Sequence, residues 1–260
     1  MKINKLNNIE NLNRELPLFQ VDEFFTPELY NELNSTYPTE YLIKKIQETG
    51  LNSASLNFSN KVDINFLQNF LKKNKSWKNL CDYYFSDDFK LDVKKLIYKN
   101  LLPFENRKMS NFDINSTNTT INFTCSKNGF KLDPHTDAKQ KIIALIIYFP
   151  DNEWKKEWMG GTRFYYPNNL NLAKKFVKQM SFNRLERILP FSLLPLRNTH
   201  ILKGYEENFA KAFYKYKYIN YYKNKLIGFI KTNYTFHSVP MLKCPKNIFR
   251  KTLLINLNFK

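Results

Sequence analysis

Residues 129–166 read GFKLDPHTDAKQKIIALIIYFPDNEWKKEWMGGTRFYY, and the fold is decided in this stretch. Its centre, residues 142–149, is almost entirely apolar and rich in β-branched side chains, which predicts a central strand of a sheet. A His-Thr-Asp triplet at 135–137 precedes that strand, and a Gly-Gly pair at 160–161 follows it. Polar residues beside a buried strand indicate a chemical site built on a β-sheet.

Further strands are predicted on both sides of this stretch. Ile121, Phe123 and Cys125 alternate with polar residues, which is typical of a strand that is buried on one face. Asn128 and Gly129 then indicate a turn. The other elements predicted in this half of the chain are a helix over 169–186, a less regular segment over 187–223, and strands over 225–231 and 250–259.

The first third of the chain predicts a helical layer. Residues 1–15 are polar and resemble a loose arm, and residues 16–25 predict a short strand. Thr26 and Pro27 suit a helix cap and the first helical position, so a helix should begin there and end near Ser35. Residues 41–102 contain several short amphipathic patterns, for which packing is the expected role.

Composition favours one compact domain. The chain has 260 residues, of which 43% are hydrophobic and 16% aromatic, enough for a substantial core. No apolar run is long enough for a membrane span, and the N-terminus lacks the pattern of a signal peptide. Three widely spaced cysteines, Cys81, Cys125 and Cys244, do not suggest a disulfide framework or a zinc knuckle. We therefore expect a cytoplasmic protein without a membrane span.

The formal net charge of +18 leaves the partner open. Such a charge attracts nucleic acid, anionic membranes or acidic metabolites. The lysines are dispersed and form no recognised motif, so a compositional bias without functional meaning is the favoured explanation.

The histidines provide the first candidate site. His135 and Asp137 are two residues apart, so on an extended segment both side chains point to one face. His237 lies far downstream, after a predicted strand. Two histidines and one carboxylate are the ligand set of a facial-triad iron site. The alternative for His237 is a satisfied polar residue at a strand end, and His200 is expected to be a surface or packing residue.

The last strand provides a second candidate site. One face carries Arg250 and Thr252, and the other face is more apolar. If the apolar face packs against helices, Arg250 points into the sheet interior, where a charged group requires an anion. A dicarboxylate that also chelates the metal would satisfy it, with Thr252 adding a hydroxyl. The alternative is a salt bridge from Arg250 to a protein carboxylate.

The order HxD, apolar strand, Gly-Gly, distal His and R-x-T resembles the iron(II)- and 2-oxoglutarate-dependent dioxygenases, especially their prolyl-hydroxylase-like branch. The resemblance covers about residues 111–260. It implies an α+β fold with a double-stranded β-helix (jelly-roll, cupin-like) core, interrupted by an insert at about 167–225. Residues 1–110 would be a helical support within the same domain.

By this resemblance His135, Asp137 and His237 would hold Fe(II), and no further catalytic residue is implied. Arg250 and Thr252 would bind the distal carboxylate of 2-oxoglutarate, and Tyr148 would add its phenol. The implied cofactors are Fe(II), 2-oxoglutarate and O2, to which ascorbate can be added. The implied reaction is hydroxylation with release of succinate and CO2. An aspartate at 137 argues against a halogenase.

A segment over 213–225, FYKYKYINYYKNK, interleaves tyrosines with lysines and is a candidate for contacting the substrate, but its pattern does not identify that substrate. Tyr214, Tyr216 and Lys217 are its candidate substrate contacts. An ordinary exposed strand explains the pattern best, followed by a pocket for an anionic substrate and then a nucleic-acid channel. The expected substrate is a small-molecule, carrier-linked or peptidyl group. The alternatives are an oxidative nucleic-acid demethylase and a non-catalytic β-helix binding protein.

Overall fold

The computed structural model describes residues 17–100, 112–138, 140–182, 206–213 and 215–260. Its helices are α1 Pro27–Ser35, α2 Thr39–Thr49, α3 Lys61–Lys73, α4 Lys75–Phe85, α5 Asp87–Asn100, α6 Leu170–Phe182 and α7 Glu206–Ala212. Its strands are β1 Leu18–Val21, β2 Ser53–Asn57, β3 Thr117–Ser126, β4 Leu132–His135, β5 Lys141–Tyr148, β6 Thr162–Tyr166, β7 Lys215–Ile219, β8 Leu226–Ile230, β9 His237–Val239 and β10 Arg250–Phe259. The predicted arm at 1–15 and His200 lie outside these residues.

Two antiparallel sheets form the centre of the fold. A six-stranded sheet has the order β1-β8-β5-β10-β3-β2, and a four-stranded sheet has the order β4-β9-β6-β7. Strands β3 to β10 are thus distributed between two sheets, as in a jelly roll. β5 is paired on both sides, by β8 and β10, which confirms the central strand predicted from its apolar run.

An apolar cluster fills the space between the two sheets. Ile146 and Tyr148 of β5 and Phe229 of β8 meet Phe164 of β6 in this cluster. The Phe164 and Phe229 rings lie edge to face at 5.3 Å. Each such side chain, when fully buried, stabilises the fold by about 1.5–3 kcal/mol. This apolar cluster therefore holds the inner faces of the two sheets together.

The helical layer covers the outer face of the six-stranded sheet. Leu253, Ile255 and Leu257 of β10 share one core cluster with residues of α1 to α5. Trp77 of α4 is fully buried there, 4.9 Å from the Phe123 ring centroid. This packing confirms that the apolar face of β10 meets helices, so Arg250 and Thr252 face the interior between the sheets.

Helix α1 begins where the sequence predicts it. The Thr26 hydroxyl accepts a hydrogen bond from the Leu29 backbone at 3.4 Å, and Pro27 occupies the first turn. At the other end, the Thr36 hydroxyl donates to the Glu32 carbonyl and accepts from the Trp77 indole. Both helix ends are thus satisfied by side chains, and the second one ties α1 to the core.

Two parts of the structure differ from the sequence-based predictions. Residues 41–102 contain a strand, β2, between α2 and α3, because Ser53–Asn57 pairs with β3 at the sheet edge. The segment expected to be less regular contains α7 and β7, since β7 is completed by pairing with β6. In both cases the hydrogen-bonding partner, not the local pattern, determines the strand.

Helices α6 and α7 cover the outer face of the four-stranded sheet. Phe176 of α6 and Phe209 of α7 cluster with Tyr165 of β6. The division into 1–110 and 111–260 remains a prediction, as does the insert at about 167–225. Among the described helices, none has the length and apolar character needed to cross a membrane.

Candidate metal and co-substrate site

The two histidines are brought together by strand pairing. His135 ends β4 and His237 begins β9, and the two residues are direct cross-strand partners. Their ring centroids lie 4.3 Å apart. Asp137 follows β4 by two residues, in the connection to β5. Antiparallel pairing of β4 with β9 therefore brings together two histidines that are 102 residues apart in sequence (237 − 135).

The three side chains form a group that fits a metal ion. Ligand atoms of His135, Asp137 and His237 all lie within 4.8 Å of one another. Both histidines are buried, and Asp137 is half-buried. Two imidazoles and one carboxylate, with other directions left open, are the donor set of a non-haem iron site.

Backbone carbonyls orient both imidazoles. His135 Nδ1 lies 2.9 Å from the Asp133 carbonyl, and His237 Nδ1 lies 3.3 Å from the Thr235 carbonyl. Because a carbonyl only accepts, each Nδ1 carries the proton and each Nε2 has the lone pair that a metal needs. Burial, reinforced by His135, lowers the pKa of His237 to about 3, so its imidazole is neutral.

Asp137 has one oxygen that is paired and one that is not. Oδ1 lies 3.0 Å from Lys141 Nζ. Oδ2 is buried and, within the described part of the chain, has no hydrogen-bond partner. Burial raises the pKa of Asp137, but His237 and Lys141 outweigh it, so the pKa is lowered overall. A buried, ionised oxygen without a partner is expensive, and a bound cation would satisfy it.

Arg250 is the centre of the second candidate site. It is buried, and its Nε donates to the Gly160 carbonyl at 2.6 Å. Its guanidinium lies over the rings of Tyr148 and Tyr221, at 5.7 and 5.6 Å. No carboxylate among the described residues forms an ion pair with Arg250, so the salt-bridge alternative has no support there. The remaining guanidinium N–H groups can bind an anion bidentately.

Tyr148 and Thr252 complete the surroundings of Arg250. Tyr148 is fully buried, and its hydroxyl forms a 2.7 Å hydrogen bond with Thr162 Oγ1. Burial raises the pKa of Tyr148 to about 12 despite Arg250, so the phenol keeps its proton and can donate it. Thr252 is fully buried and its hydroxyl is hydrogen-bonded to Thr124 of β3.

The backbone conformation and close surroundings of Gly160 explain why the first residue of the Gly-Gly pair is a glycine. Its φ is 91°, and a Cβ at this position would lie 2.7 Å from the Trp154 ring. Only glycine therefore lets the chain turn here and present its carbonyl to Arg250.

The candidate substrate contacts of β7 do not lie together. Tyr216 packs beside Tyr165 and under the Arg163 guanidinium at 4.9 Å, on the outer face of the four-stranded sheet. Lys217 is paired with Phe164, which is paired in turn with His237, so it belongs to the face that carries the metal ligands. Tyr214 lies outside the described residues.

Some site residues were missed by the sequence-based analysis. Lys141, Thr162, Thr124 and Tyr221 all contact predicted site residues. Thr124 was accessible in principle, because pairing two predicted strands in the correct register places it beside Thr252. Thr162 directly follows the Gly-Gly pair and Tyr221 lies in the Tyr/Lys segment over 213–225, but neither pattern predicts a contact with the Arg250 site, and Lys141 lies in no motif. Only the folded chain brings these three residues to the site.

No protein-family model matches the chain, and no curated protein matches it. Among solved structures, it is similar to a prolyl-4-hydroxylase from Pseudomonas putida, with a TM-score of 0.52, 10% identity, and coverage of 98% of this chain and 99% of that chain. The fold is that of the prolyl hydroxylases.

Two further solved structures support this likeness. A Trichoplax adhaerens prolyl hydroxylase, solved in complex with a peptide fragment of the hypoxia inducible factor oxygen degradation domain, has a TM-score of 0.50 and 14% identity, covering 99% of this chain and 91% of that chain. A prolyl 4-hydroxylase from Phytophthora capsici has a TM-score of 0.50 and 11% identity, covering 99% and 65%. At these identities the likeness concerns the fold, and at that level it confirms the predicted α+β class and the prolyl-hydroxylase-like resemblance.

Proposed function

We propose that this protein is an iron(II)- and 2-oxoglutarate-dependent oxygenase that hydroxylates a small-molecule, carrier-linked or peptidyl substrate. The observation that carries the proposal is the buried Asp137 Oδ2, which has no hydrogen-bond partner among the described residues. It belongs to a carboxylate grouped with two imidazoles whose Nδ1 protons are bound by backbone carbonyls. The buried Arg250, without a carboxylate partner in the described chain, gives independent support for an anionic co-substrate.

Each residue has a specific part in this mechanism. His135, His237 and Asp137 would hold the metal through two Nε2 atoms and Oδ2, while Lys141 keeps Oδ1 occupied. Arg250 would bind the distal carboxylate of 2-oxoglutarate, with Tyr148 donating its hydroxyl and Thr252 lying beside them. When bound, iron(II) with 2-oxoglutarate and O2 supplies the oxidising chemistry, and succinate and CO2 are released.

The aromatic residues around Arg250 would exclude water from the co-substrate. Tyr148 and Tyr221 are buried and lie edge to face at 4.9 Å. In such a low-dielectric site, the attraction between a guanidinium and a carboxylate is stronger than in water. This environment favours a tight, specifically oriented co-substrate. Nucleic-acid demethylation gains no support, because the Tyr216–Arg163 pair faces away from the metal ligands.

The first experiment is an anaerobic titration of the metal-free protein with Fe(II) and 2-oxoglutarate, followed by metal-to-ligand charge-transfer absorption. We expect the band in the wild type and in the control variant His200→Ala, and its loss in His237→Ala. A folded wild-type protein that gives no band would contradict the proposal and favour a non-catalytic binding protein. Succinate release would then be used to screen substrates.

A further inference from the structure

The peptide group between Gly160 and Gly161 contacts two different side chains. Its carbonyl, on Gly160, accepts a 2.6 Å hydrogen bond from Arg250 Nε. Its N–H, on Gly161, donates to the Tyr218 hydroxyl oxygen at 3.0 Å. The carbonyl and the N–H of a trans peptide lie in one plane and point in opposite directions. Tyr218 and Arg250 therefore hold the same peptide plane from its two sides.

A peptide flanked by two glycines has little preferred orientation of its own. Glycine adopts positive and negative φ about equally readily, so rotation of this peptide plane meets no Cβ on either side. Gly160 already has a φ of 91°. The direction of the Gly160 carbonyl is thus set by the hydrogen bonds of the peptide, and among the described residues these go to Arg250 and Tyr218.

The second glycine of the pair leaves room for the Tyr218 ring. A Cβ on Gly161 would lie 2.8 Å from Tyr218 Cζ, 2.9 Å from its hydroxyl oxygen and 2.1 Å from the Ile219 carbonyl oxygen. These distances are shorter than van der Waals contact, so only glycine lets the phenol reach the backbone here. The Gly-Gly pair therefore meets two separate requirements: Gly160 allows the turn, and Gly161 allows the contact with Tyr218.

The Tyr218 hydroxyl is a neutral acceptor in this contact. Burial raises the pKa of Tyr218, although the Gly161 N–H, Arg250 and Arg163 act in the opposite direction. Gly161 is buried, so its N–H would lose its partner if the hydroxyl were absent, and an unpaired buried N–H is costly. The peptide would then rotate towards another acceptor, and its carbonyl would leave Arg250.

We propose that Tyr218 is a positioning residue for the co-substrate: it fixes the Gly160–Gly161 peptide and thereby the direction in which Arg250 presents its guanidinium. The Gly160 carbonyl engages Nε, so the remaining N–H groups of this planar, rigid fork are oriented by that bond. Tyr218 belongs to the Tyr/Lys segment over 213–225, to which the metal site assigns no role. This inference rests on the proposed function, because it concerns how Arg250 binds 2-oxoglutarate.

The test is an anaerobic titration of the Fe(II)-loaded protein with 2-oxoglutarate, followed by the charge-transfer absorption. Tyr218→Phe removes the acceptor and keeps the ring. Its affinity for 2-oxoglutarate should fall about fivefold to tenfold, as for the loss of one hydrogen bond, while Fe(II) affinity is unchanged. A second probe, 2-oxopentanoate, has the same chelating end but no distal carboxylate. Its affinity should be the same in the variant and in the wild type.

A double-mutant cycle with Arg250 separates positioning from a general structural role. Arg250→Lys keeps a cation but lacks the Nε donor that bonds the Gly160 carbonyl. If Tyr218 acts through this bond, Tyr218→Phe should cause no further loss of 2-oxoglutarate affinity in the Arg250→Lys background. An additional loss of the same size as in the wild-type background would overturn the inference.

Two further phenylalanine variants are matched controls. Tyr216→Phe changes an exposed side chain of the same strand, and Tyr83→Phe removes a hydroxyl that donates to Asp92 in the helical layer at 2.9 Å. Both should bind 2-oxoglutarate as the wild type does, although Tyr83→Phe also loses a hydrogen bond. If Tyr83→Phe weakened binding as much as Tyr218→Phe, the effect would be one of stability alone and the inference would fail.

The outcomes distinguish this inference from the proposed function. A wild-type protein that fails to bind Fe(II) or 2-oxoglutarate contradicts both. If the wild type binds both and Tyr218→Phe binds 2-oxoglutarate equally well, only the role of Tyr218 is refuted. Equal weakening of 2-oxopentanoate binding, or loss of Fe(II) binding in Tyr218→Phe, would also refute that role, because the effect would not pass through Arg250.

Discussion

At the scale of single residues, Lys141 determines which oxygen of Asp137 is available to a metal. Its ammonium lies 3.0 Å from Oδ1, and both side chains are largely withdrawn from solvent. Among the described residues, Oδ2 is then the oxygen without a hydrogen-bond partner, on a carboxylate that forms one group of potential metal ligands with the two imidazoles. A group that orients a ligand in this way acts on affinity through geometry as well as charge.

Replacing Lys141 with Met should therefore weaken Fe(II) binding by about tenfold or more, the usual effect of losing such an orienting contact. Lys141→Arg should restore much of it by keeping the ion pair. The matched control is Lys131→Met, which removes a solvent-exposed pair with Asp133 at 3.2 Å. Metal affinity from an anaerobic titration distinguishes the variants, and equal weakening by Lys131→Met would contradict a specific role for Lys141.

Tyr148 allows a second prediction, because its hydroxyl points to the Arg250 site. Tyr148→Phe should weaken 2-oxoglutarate binding about tenfold, the cost of one hydrogen bond to a charged group, and should leave metal affinity unchanged. The control Tyr221→Phe removes a hydroxyl that bonds the Lys251 backbone. It should lower stability without a specific effect on 2-oxoglutarate. Isothermal titration of the metal-loaded proteins separates the two, and unchanged affinity in Tyr148→Phe would refute its assignment.

At the scale of elements, the sequence predicts those whose signal is local or strongly periodic. Helix α1 begins at Pro27 because Thr26 caps it, and β5 follows from a long apolar run. Strand β2 was missed because only Leu56 is fully buried in it, so it has no pattern of its own. Of the site, the residue types revealed His135, Asp137, His237 and Arg250. Their supporting contacts depend on packing between strands that are distant in sequence.

Substitution of Gly160 tests whether the loop before β6 requires a glycine at this position for stability. Gly160→Ala adds a Cβ that would clash with Trp154 at a φ of 91°, so it should destabilise the protein by about 1–3 kcal/mol. Gly50→Ala is the matched control, since its φ is 68° but no atom of the described residues lies within 4 Å of the added Cβ. Denaturant unfolding should show a smaller loss for Gly50→Ala. Equal losses would mean that backbone strain alone, without the clash, explains the requirement for glycine.

At the scale of the whole molecule, the site lies between two sheets that are each covered by helices on the outside. The layer α1 to α5 packs on the larger sheet, and α6 and α7 pack on the smaller one. The net charge of +18 does not come from a cluster of cations at the site. The two cations there each have their own contact: Lys141 pairs with Asp137, and Arg250 donates to the Gly160 carbonyl. The overall charge therefore says little about the substrate, whereas the two cations at the site, Lys141 and Arg250, are informative.

Substitution of Trp77 tests whether the helical layer stabilises the fold alone or also positions the metal ligands. The side chain is fully buried and its ring lies near those of Phe123 and Phe149, so Trp77→Ala should lower the free energy of unfolding by about 3–5 kcal/mol. Tyr98→Ala, on an exposed side chain of α5, should cost less than about 0.5 kcal/mol. Because the metal ligands lie on β4, β9 and the connection after β4, the folded fraction of Trp77→Ala should bind Mn(II) with wild-type affinity. A loss of affinity larger than the unfolded fraction explains would instead mean that this layer positions the metal ligands.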